Sequence, residues 1–160
     1  MSTSVFSLLQ KGGSIVYGLD LTTNGAAIKP GLLVIRDATG DTVSLAGATG
    51  SAPFGFAYGN RDLVYAPTSK TYASGEAVSV LSGSGLVAVS ADFFSSGSLP
   101  AEIAGQNQVF AAASGKLDNN LTGTNRVGRI INLTTMTDGT GGTGSSVQVA
   151  IIQFDFGVAG

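Results

Sequence analysis

The chain has 160 residues, a formal net charge of −2 and 24 glycines, with neither cysteine nor histidine. Its length suits one domain. Without cysteine and histidine, the sequence excludes disulfides, thiolate nucleophiles, imidazole bases and the common zinc sites. The weak negative charge excludes the basic surface that nucleic-acid binding requires. We therefore expect no enzyme, no cofactor, no bound metal and no direct contact with nucleic acid.

Residues 1–13 predict either an N-terminal arm or an edge strand, ahead of a single all-β domain over residues 14–160. An adjacent Gly12–Gly13 pair weakens a continuous strand, which favours an arm lying on a neighbouring subunit. The segment shows no signal-peptide core, and no apolar run in the chain is long enough to cross a membrane. We expect no membrane partner. The apolar side chains assigned to the arm as contact residues are Val5, Phe6, Leu8 and Leu9.

Turn signals then divide the chain into short strands. An apolar run opened by Pro30–Gly31, turn residues at Asp37–Gly40 and alternation after Asp41 predict a hairpin over residues 29–47. Valines alternate on both sides of Ser82–Gly85, which predicts a second hairpin over residues 76–91. A third hairpin is predicted over residues 108–117. Residues 92–106 are expected to hold one short helical turn, and the glycine-rich residues 138–146 a loop.

Two segments suggest specific contacts. In residues 53–59, Phe54, Phe56 and Tyr58 share one face, while the intervening glycines leave the other bare, so we expect close packing against that backbone. In residues 126–133, alternation places Val127, Ile131 and Leu133 on one face, with Arg129 among them. Either this side of the strand faces solvent, or the guanidinium sits in a subunit contact, where arginine is enriched.

The closing strand changes phase. Val147, Val149 and Ile151 share one face, and Ile152, Phe154 and Phe156 share the other. A one-residue slip reverses the buried face, so we predict a β-bulge or a change of sheet near Ile151–Ile152. We expect Phe154 and Phe156 to cover a neighbouring subunit, since no further strand follows them.

These segments together predict a glycine-rich β-sandwich or partly open β-barrel of about eight or nine short strands. A carboxylate pair, Asp37 and Asp41, has the spacing of a Ca²⁺ site. Two carboxylates separated by a turn are common by chance, so we predict no bound ion there.

The order of motifs resembles the head decoration, or capsid cement, proteins of tailed bacteriophages. The resemblance spans roughly residues 30–152. It rests on short motifs: Pro30-Gly-Leu-Leu-Val, Pro53-Phe-Gly-Phe-Ala, Ser74-Gly-Glu-Ala-Val-Ser-Val, Gln108-Val-Phe, Ser114-Gly-Lys-Leu117, Val127-Gly-Arg-Ile130 and Val147-Gln-Val-Ala-Ile-Ile152.

The resemblance implies a non-enzymatic protein that is made in the host cytoplasm and binds the outside of an icosahedral head. There it would clamp adjoining subunits of the major capsid protein against internal DNA pressure. It also implies a homo-oligomer, with a trimer favoured over a dimer. The alternative is a carbohydrate-binding β module that stacks sugars on Phe54, Phe56 and Tyr58, although the chain has no tryptophan.

Overall fold

A computed structural model describes residues 5–11, 15–16, 22–24, 28–38, 41–58, 71–100, 107–119, 125–137 and 146–156. Within these ranges the chain forms twelve strands in two six-stranded sheets, one of them curled into a half-barrel, and two short 3₁₀ turns. The predicted all-β class is confirmed. Three strands have only two residues, so nine longer ones remain, in line with the predicted number. The described part of the chain contains no helix that could span a bilayer.

The first sheet is antiparallel throughout and carries the longest strands. In spatial order its strands are β1 (Phe6–Lys11), β8 (Ser84–Ser90), β12 (Ser146–Asp155), β11 (Arg126–Thr137), β9 (Gln108–Ala111) and β10 (Leu117–Asp118).

The second sheet consists of shorter strands and contains one parallel pair, β3 with β5. In spatial order its strands are β2 (Ile15–Val16), β7 (Ser79–Leu81), β6 (Gly55–Tyr58), β4 (Leu33–Arg36), β5 (Thr42–Leu45) and β3 (Thr22–Thr23).

Both sheets contribute to one main core. Leu33, Phe56 and Leu81 of the second sheet pack with side chains of the first, including Ile152 and Phe154. A smaller cluster covers the outer face of the second sheet, where Ile28 and Tyr72 pack on residues of β4 to β7. A third cluster, which includes Val149 and Ile151, lies on the outer face of the first sheet. Both sheets are therefore apolar on two faces rather than one.

The hairpin predicted over residues 29–47 is present. The Leu32 N–H donates to the Lys29 carbonyl at 3.2 Å, and Gly31 has φ of +96°. Proline followed by a glycine with positive φ is the pattern of a type II turn. β4 and β5 then pair antiparallel. The hairpin over residues 108–117 is also present as β9 and β10, joined through Ser114 and Gly115, both with positive φ.

The predicted hairpin over residues 76–91 is wrong. β7 belongs to the second sheet and β8 to the first, so the chain crosses between sheets through Ser82 and Gly83 alone. Gly83 has φ of +85°, and the Ser82 hydroxyl donates to the Phe54 carbonyl at 2.7 Å. The valines before this corner face the outer cluster of the second sheet, and those after it face the main core.

The closing strand β12 buries both of its faces, but neither a bulge in β12 nor a change of sheet is the reason. β12 runs continuously along β8 from Val149 to Asp155 without a break in register. The bulge lies on the partner strand, where the register of β11 shifts between Ile130 and Asn132 opposite Ile152 and Ile151. β12 can bury both of its faces because the main core covers one and the third cluster lies on the other.

The helical turn expected within residues 92–106, with Pro100 at its start, stays a prediction. A 3₁₀ turn spans Ala91–Phe93, and residues 101–106 lie outside the described residues. The glycine-rich loop over residues 138–145 also lies outside them.

Candidate interaction surface

The seven predicted contact residues differ in how deeply they are buried. Phe6 and Phe154 are buried, and Leu9 and Arg129 are exposed. The remaining three are partly buried: Val5, Leu8 and Phe156. Because a buried side chain cannot reach a partner without opening the core, only part of the predicted set is on the surface.

Phe154 packs inside the chain rather than on a neighbour. It is 0% exposed, and its ring lies 5.6 Å from Phe56, centroid to centroid, with the planes at 86°. Phe156 lies 5.2 Å from the same Phe56 ring and 5.5 Å from Phe154. Such edge-to-face pairs add to the free energy gained by burial. The predicted intersubunit role of Phe154 is therefore wrong, and Phe156 completes an internal aromatic cluster.

The N-terminal segment is an edge strand of the first sheet, the second of the two alternatives. β1 pairs antiparallel with β8 from Phe6 to Lys11. The Phe6 ring lies 5.1 Å from Phe56 and 5.9 Å from Phe93. The Val5 N–H donates to the Ser90 hydroxyl oxygen at 2.8 Å, and the Ser90 hydroxyl donates to Asp92. The predicted free arm does not fit these contacts, since Phe6 anchors the strand in the main core.

Arg129 lies on the exposed face of its strand. Its Nε donates to Gln153 Oε1 at 3.0 Å across the β11–β12 pair. The predicted apolar face of this strand is incorrect, because bulges change its phase. Val127 and Ile130 enter the core, while Ile131 is 40% exposed. Within the single chain the Arg129 side chain faces solvent, and its place in a subunit contact stays a prediction.

Asp37 anchors a polar network between strands. Its carboxylate accepts hydrogen bonds from the Thr42 and Ser44 hydroxyls, each at 2.8 Å, and from the Asn24 amide at 3.3 Å. Burial tends to raise the pKa of Asp37, but these three hydrogen bonds outweigh it and lower the pKa below its ordinary value. The Asp37 carboxylate is thus occupied by hydrogen-bond donors from the protein itself. The described residues contain no group of three or more acidic residues placed to hold a metal ion.

The aromatic residues proposed for sugar stacking do not form a platform. Phe56 is fully buried and Tyr58 is 7% exposed, and both belong to the main core. Phe54 instead packs on the outer cluster of the second sheet, with the Arg36 guanidinium 5.8 Å from its ring centroid. The close packing expected against this backbone is present at Gly55, while Gly59 lies outside the described residues. A Cβ on Gly55 would lie 2.5 Å from the Leu81 carbonyl oxygen.

Two exposed apolar side chains, Leu9 and Ile131, lie at register shifts of the first sheet, and the sequence predicts a contact role for Leu9 alone. At 44% and 40% they are the exposed large hydrophobic side chains of the described residues. Leu9 falls where the register of β1 shifts between Leu8 and Gln10, and Ile131 falls at the corresponding shift in β11. Alternation gives no sign of either register shift, so the sequence identifies Leu9 only through its predicted place in the arm and does not identify Ile131.

Comparison with known proteins decides the family. The family described as structural cement protein (E217 gp24/Pam3 gp6) matches residues 12–155, nearly the whole chain. The chain belongs to this phage cement family. No curated protein matches the chain significantly. The family is a structural one and implies a place in the phage capsid, so the resemblance noted in the sequence is confirmed at the level of the family.

Proposed function

We propose that this protein binds the outer surface of an assembled phage head and clamps adjoining subunits of the major capsid protein. The observation that carries the proposal is the match to the structural cement family over residues 12–155. A filled head carries outward pressure from its DNA and fails when subunits separate. A protein bound across a seam opposes that separation, because opening the seam must also break its interface.

The fold suits such a role. The two sheets are joined by a continuous core and by a two-residue corner, so a load on one sheet passes directly to the other. The longest strands, β11 and β12, pair over most of their length. Load along paired strands is resisted by several hydrogen bonds at once. The aromatic cluster of Phe56, Phe154 and Phe156 further ties β12 to the second sheet.

We further propose that the protein acts as a homo-oligomer, a trimer rather than a dimer. Each copy then supplies one contact to the shell, and linked contacts bind with higher avidity than one. Weak individual contacts would suffice under this arrangement. Sedimentation velocity of the purified protein measures the oligomer directly, and a monomer at every concentration would contradict this part of the proposal.

Co-sedimentation tests the binding itself. Heads are prepared from a mutant of the source phage in which the gene for this chain is deleted. The purified protein is then titrated onto these heads. We expect saturable binding at a fixed ratio to the major capsid protein. Heat-unfolded protein serves as the control for trapping in the pellet. No saturable binding to heads, together with binding to an immobilised glycan, would support the carbohydrate-binding alternative instead.

A further inference from the structure

Asn24 is the one asparagine of the chain that a glycine follows, Gly25. A backbone nitrogen can attack the side-chain amide of the residue before it, and the side chain of its own residue hinders that approach. Because glycine has no Cβ and a wide choice of backbone conformations, the Asn24–Gly25 step is the least hindered of the asparagine steps in the chain. The residues after the other asparagines all carry larger side chains: Arg61, Gln108, Asn120, Leu121, Arg126 and Leu133.

The Asn24 side chain is accessible in the folded chain. The residue is exposed and comes directly after β3. Its Nδ2 donates to Asp37 Oδ2 at 3.3 Å, which is long for a hydrogen bond to a carboxylate. Within the described residues, a reaction at this amide therefore disrupts a long hydrogen bond and opens no part of the core.

Backbone hydrogen bonds hold Asn24 in place next to Asp37. The Asn24 N–H donates to the Val43 carbonyl of β5 at 2.8 Å. The Thr23 N–H just before it donates to the Glu76 carbonyl at 3.0 Å. These bonds fix the backbone at position 24 whatever its side chain carries. A group that replaces the Asn24 amide therefore starts beside the Asp37 carboxylate.

The Asp37 carboxylate is stabilised by the donors around it. Besides the Asn24 amide, the hydroxyls of Thr42 and Ser44 donate to it, each at 2.8 Å. Although burial tends to raise the pKa of Asp37, the hydrogen bonds keep it below the ordinary value, so the carboxylate is ionised at neutral pH. A second carboxylate at position 24 would donate nothing, and two like charges at this spacing repel each other.

We propose that Asn24 is a site of spontaneous deamidation and that its product weakens the Asp37 network. The Gly25 backbone nitrogen forms a bond to Asn24 Cγ and gives up its proton. The Cγ–Nδ2 bond breaks, and Nδ2 leaves with that proton as ammonia. Water then adds to either carbonyl of the succinimide, which opens to an aspartate or isoaspartate carboxylate and releases a proton. Both products add a negative charge beside Asp37, and neither depends on the proposed function.

Peptide mapping of the aged protein tests the site. The folded chain is kept in warm, mildly alkaline buffer, and mass spectrometry measures the replacement of NH₂ by OH at each asparagine. We expect Asn24 to react at least tenfold faster than Asn132, which is also exposed but precedes Leu133. Gly25→Ala places a methyl group beside the attacking nitrogen and should slow the reaction severalfold. Equal rates at Asn24 and Asn132 would overturn the proposal, as would an unchanged rate in Gly25→Ala.

Stability measurements test the link to Asp37. Asn24→Asp reproduces the aspartate product, and we expect its unfolding temperature near neutral pH to lie about 2–4 °C below that of the wild type. The control Asn132→Asp adds the same charge on the first sheet and should unfold as the wild type does. In an Asp37→Asn background, Asn24→Asp should cause no further loss, because the opposing charge is gone. Wild-type stability of Asn24→Asp, or an equal loss in both backgrounds, would overturn the link.

Discussion

Gly128 lies directly opposite Phe154 in the β11–β12 pair, and a Cβ added to Gly128 would lie 2.8 Å from the Phe154 Cα. The same Cβ would also collide with the Gln153 carbonyl oxygen. Phe154 is fully buried beneath this contact. The glycine therefore sets how closely the two longest strands approach while Phe154 stays in the core.

Substitution of Gly128 with alanine is expected to destabilise the protein. The collision is with backbone rather than with a flexible side chain, so the strands must separate, and overpacking of this kind costs about 1–3 kcal/mol or more. Urea unfolding of Gly128→Ala measures the loss. Gly47→Ala is the control, because its Cβ would meet only an ordinary contact, 3.5 Å from the Thr49 carbonyl oxygen. Equal stability of the two variants would contradict the interpretation.

Truncation of Phe154 tests its position in the core. We expect Phe154→Ala to lower the free energy of unfolding by about 3–5 kcal/mol, the usual cost of removing a buried phenylalanine ring. The loss should be the same at every protein concentration, because the ring packs within one chain. Phe156→Ala should cost less, since Phe156 is only partly buried. A Phe154→Ala variant with wild-type stability and weakened self-association would restore the intersubunit assignment.

The stabilities of variants at Phe6 and Leu9 test whether residues 6–11 form an edge strand or a free arm. Phe6 is 3% exposed and Leu9 is 44% exposed. We expect Phe6→Ala to cost about 3–5 kcal/mol of stability and Leu9→Ala less than about 1 kcal/mol. Thermal and urea unfolding of both variants give the comparison. Near-wild-type stability for Phe6→Ala would mean that the strand is not anchored in the core in solution.

The Asp37 network makes part of the stability depend on pH. Its hydrogen bonds lower the pKa of Asp37 in the folded state, so the stabilisation is complete above about pH 4, the ordinary value. It is lost as the pH falls through the lowered folded value. We expect Asp37→Asn to be less stable than the wild type near neutral pH, with the difference shrinking in strong acid. Thermal unfolding from pH 2 to 7 measures this.

Asp41→Asn is the matched control for Asp37→Asn, because Asp41 lies on the same hairpin and is exposed. A constant difference between Asp37→Asn and the wild type across the whole pH range would contradict the network. It would mean that the substitution acts through the shape of the side chain rather than through its charge.

Local turn chemistry is enough to predict the Pro30–Gly31 turn that precedes β4, because a proline followed by a glycine, here with positive φ, specifies a type II turn by itself. The corner at Ser82 and Gly83 could not be predicted in the same way. Alternating valines on each side of a glycine turn suit a hairpin and a change of sheet equally. Only the packing of Val80 and Val87 into different clusters separates the two.

The exposed residues of the candidate surface are harder to predict from the sequence than the fold is. An apolar residue at a bulge looks like any other member of an alternating strand, so the sequence places Ile131 on one face with Val127, whereas the structure buries Val127 and exposes Ile131. Phe154 was assigned to a neighbouring subunit because no later strand could cover it. The structure covers it instead with Phe56, which comes almost a hundred residues earlier in the sequence. Contacts this far apart in the chain leave no local pattern.

Thermal opening of the head tests the clamping role most directly. Gene-deleted heads are heated with and without saturating protein, while a dye reports DNA release and co-sedimentation confirms that the protein is bound. We predict DNA release at a clearly higher temperature when the protein is present, with the release temperature rising with occupancy until the sites are full. Release at the same temperature with the protein fully bound would show that it decorates the shell without clamping it.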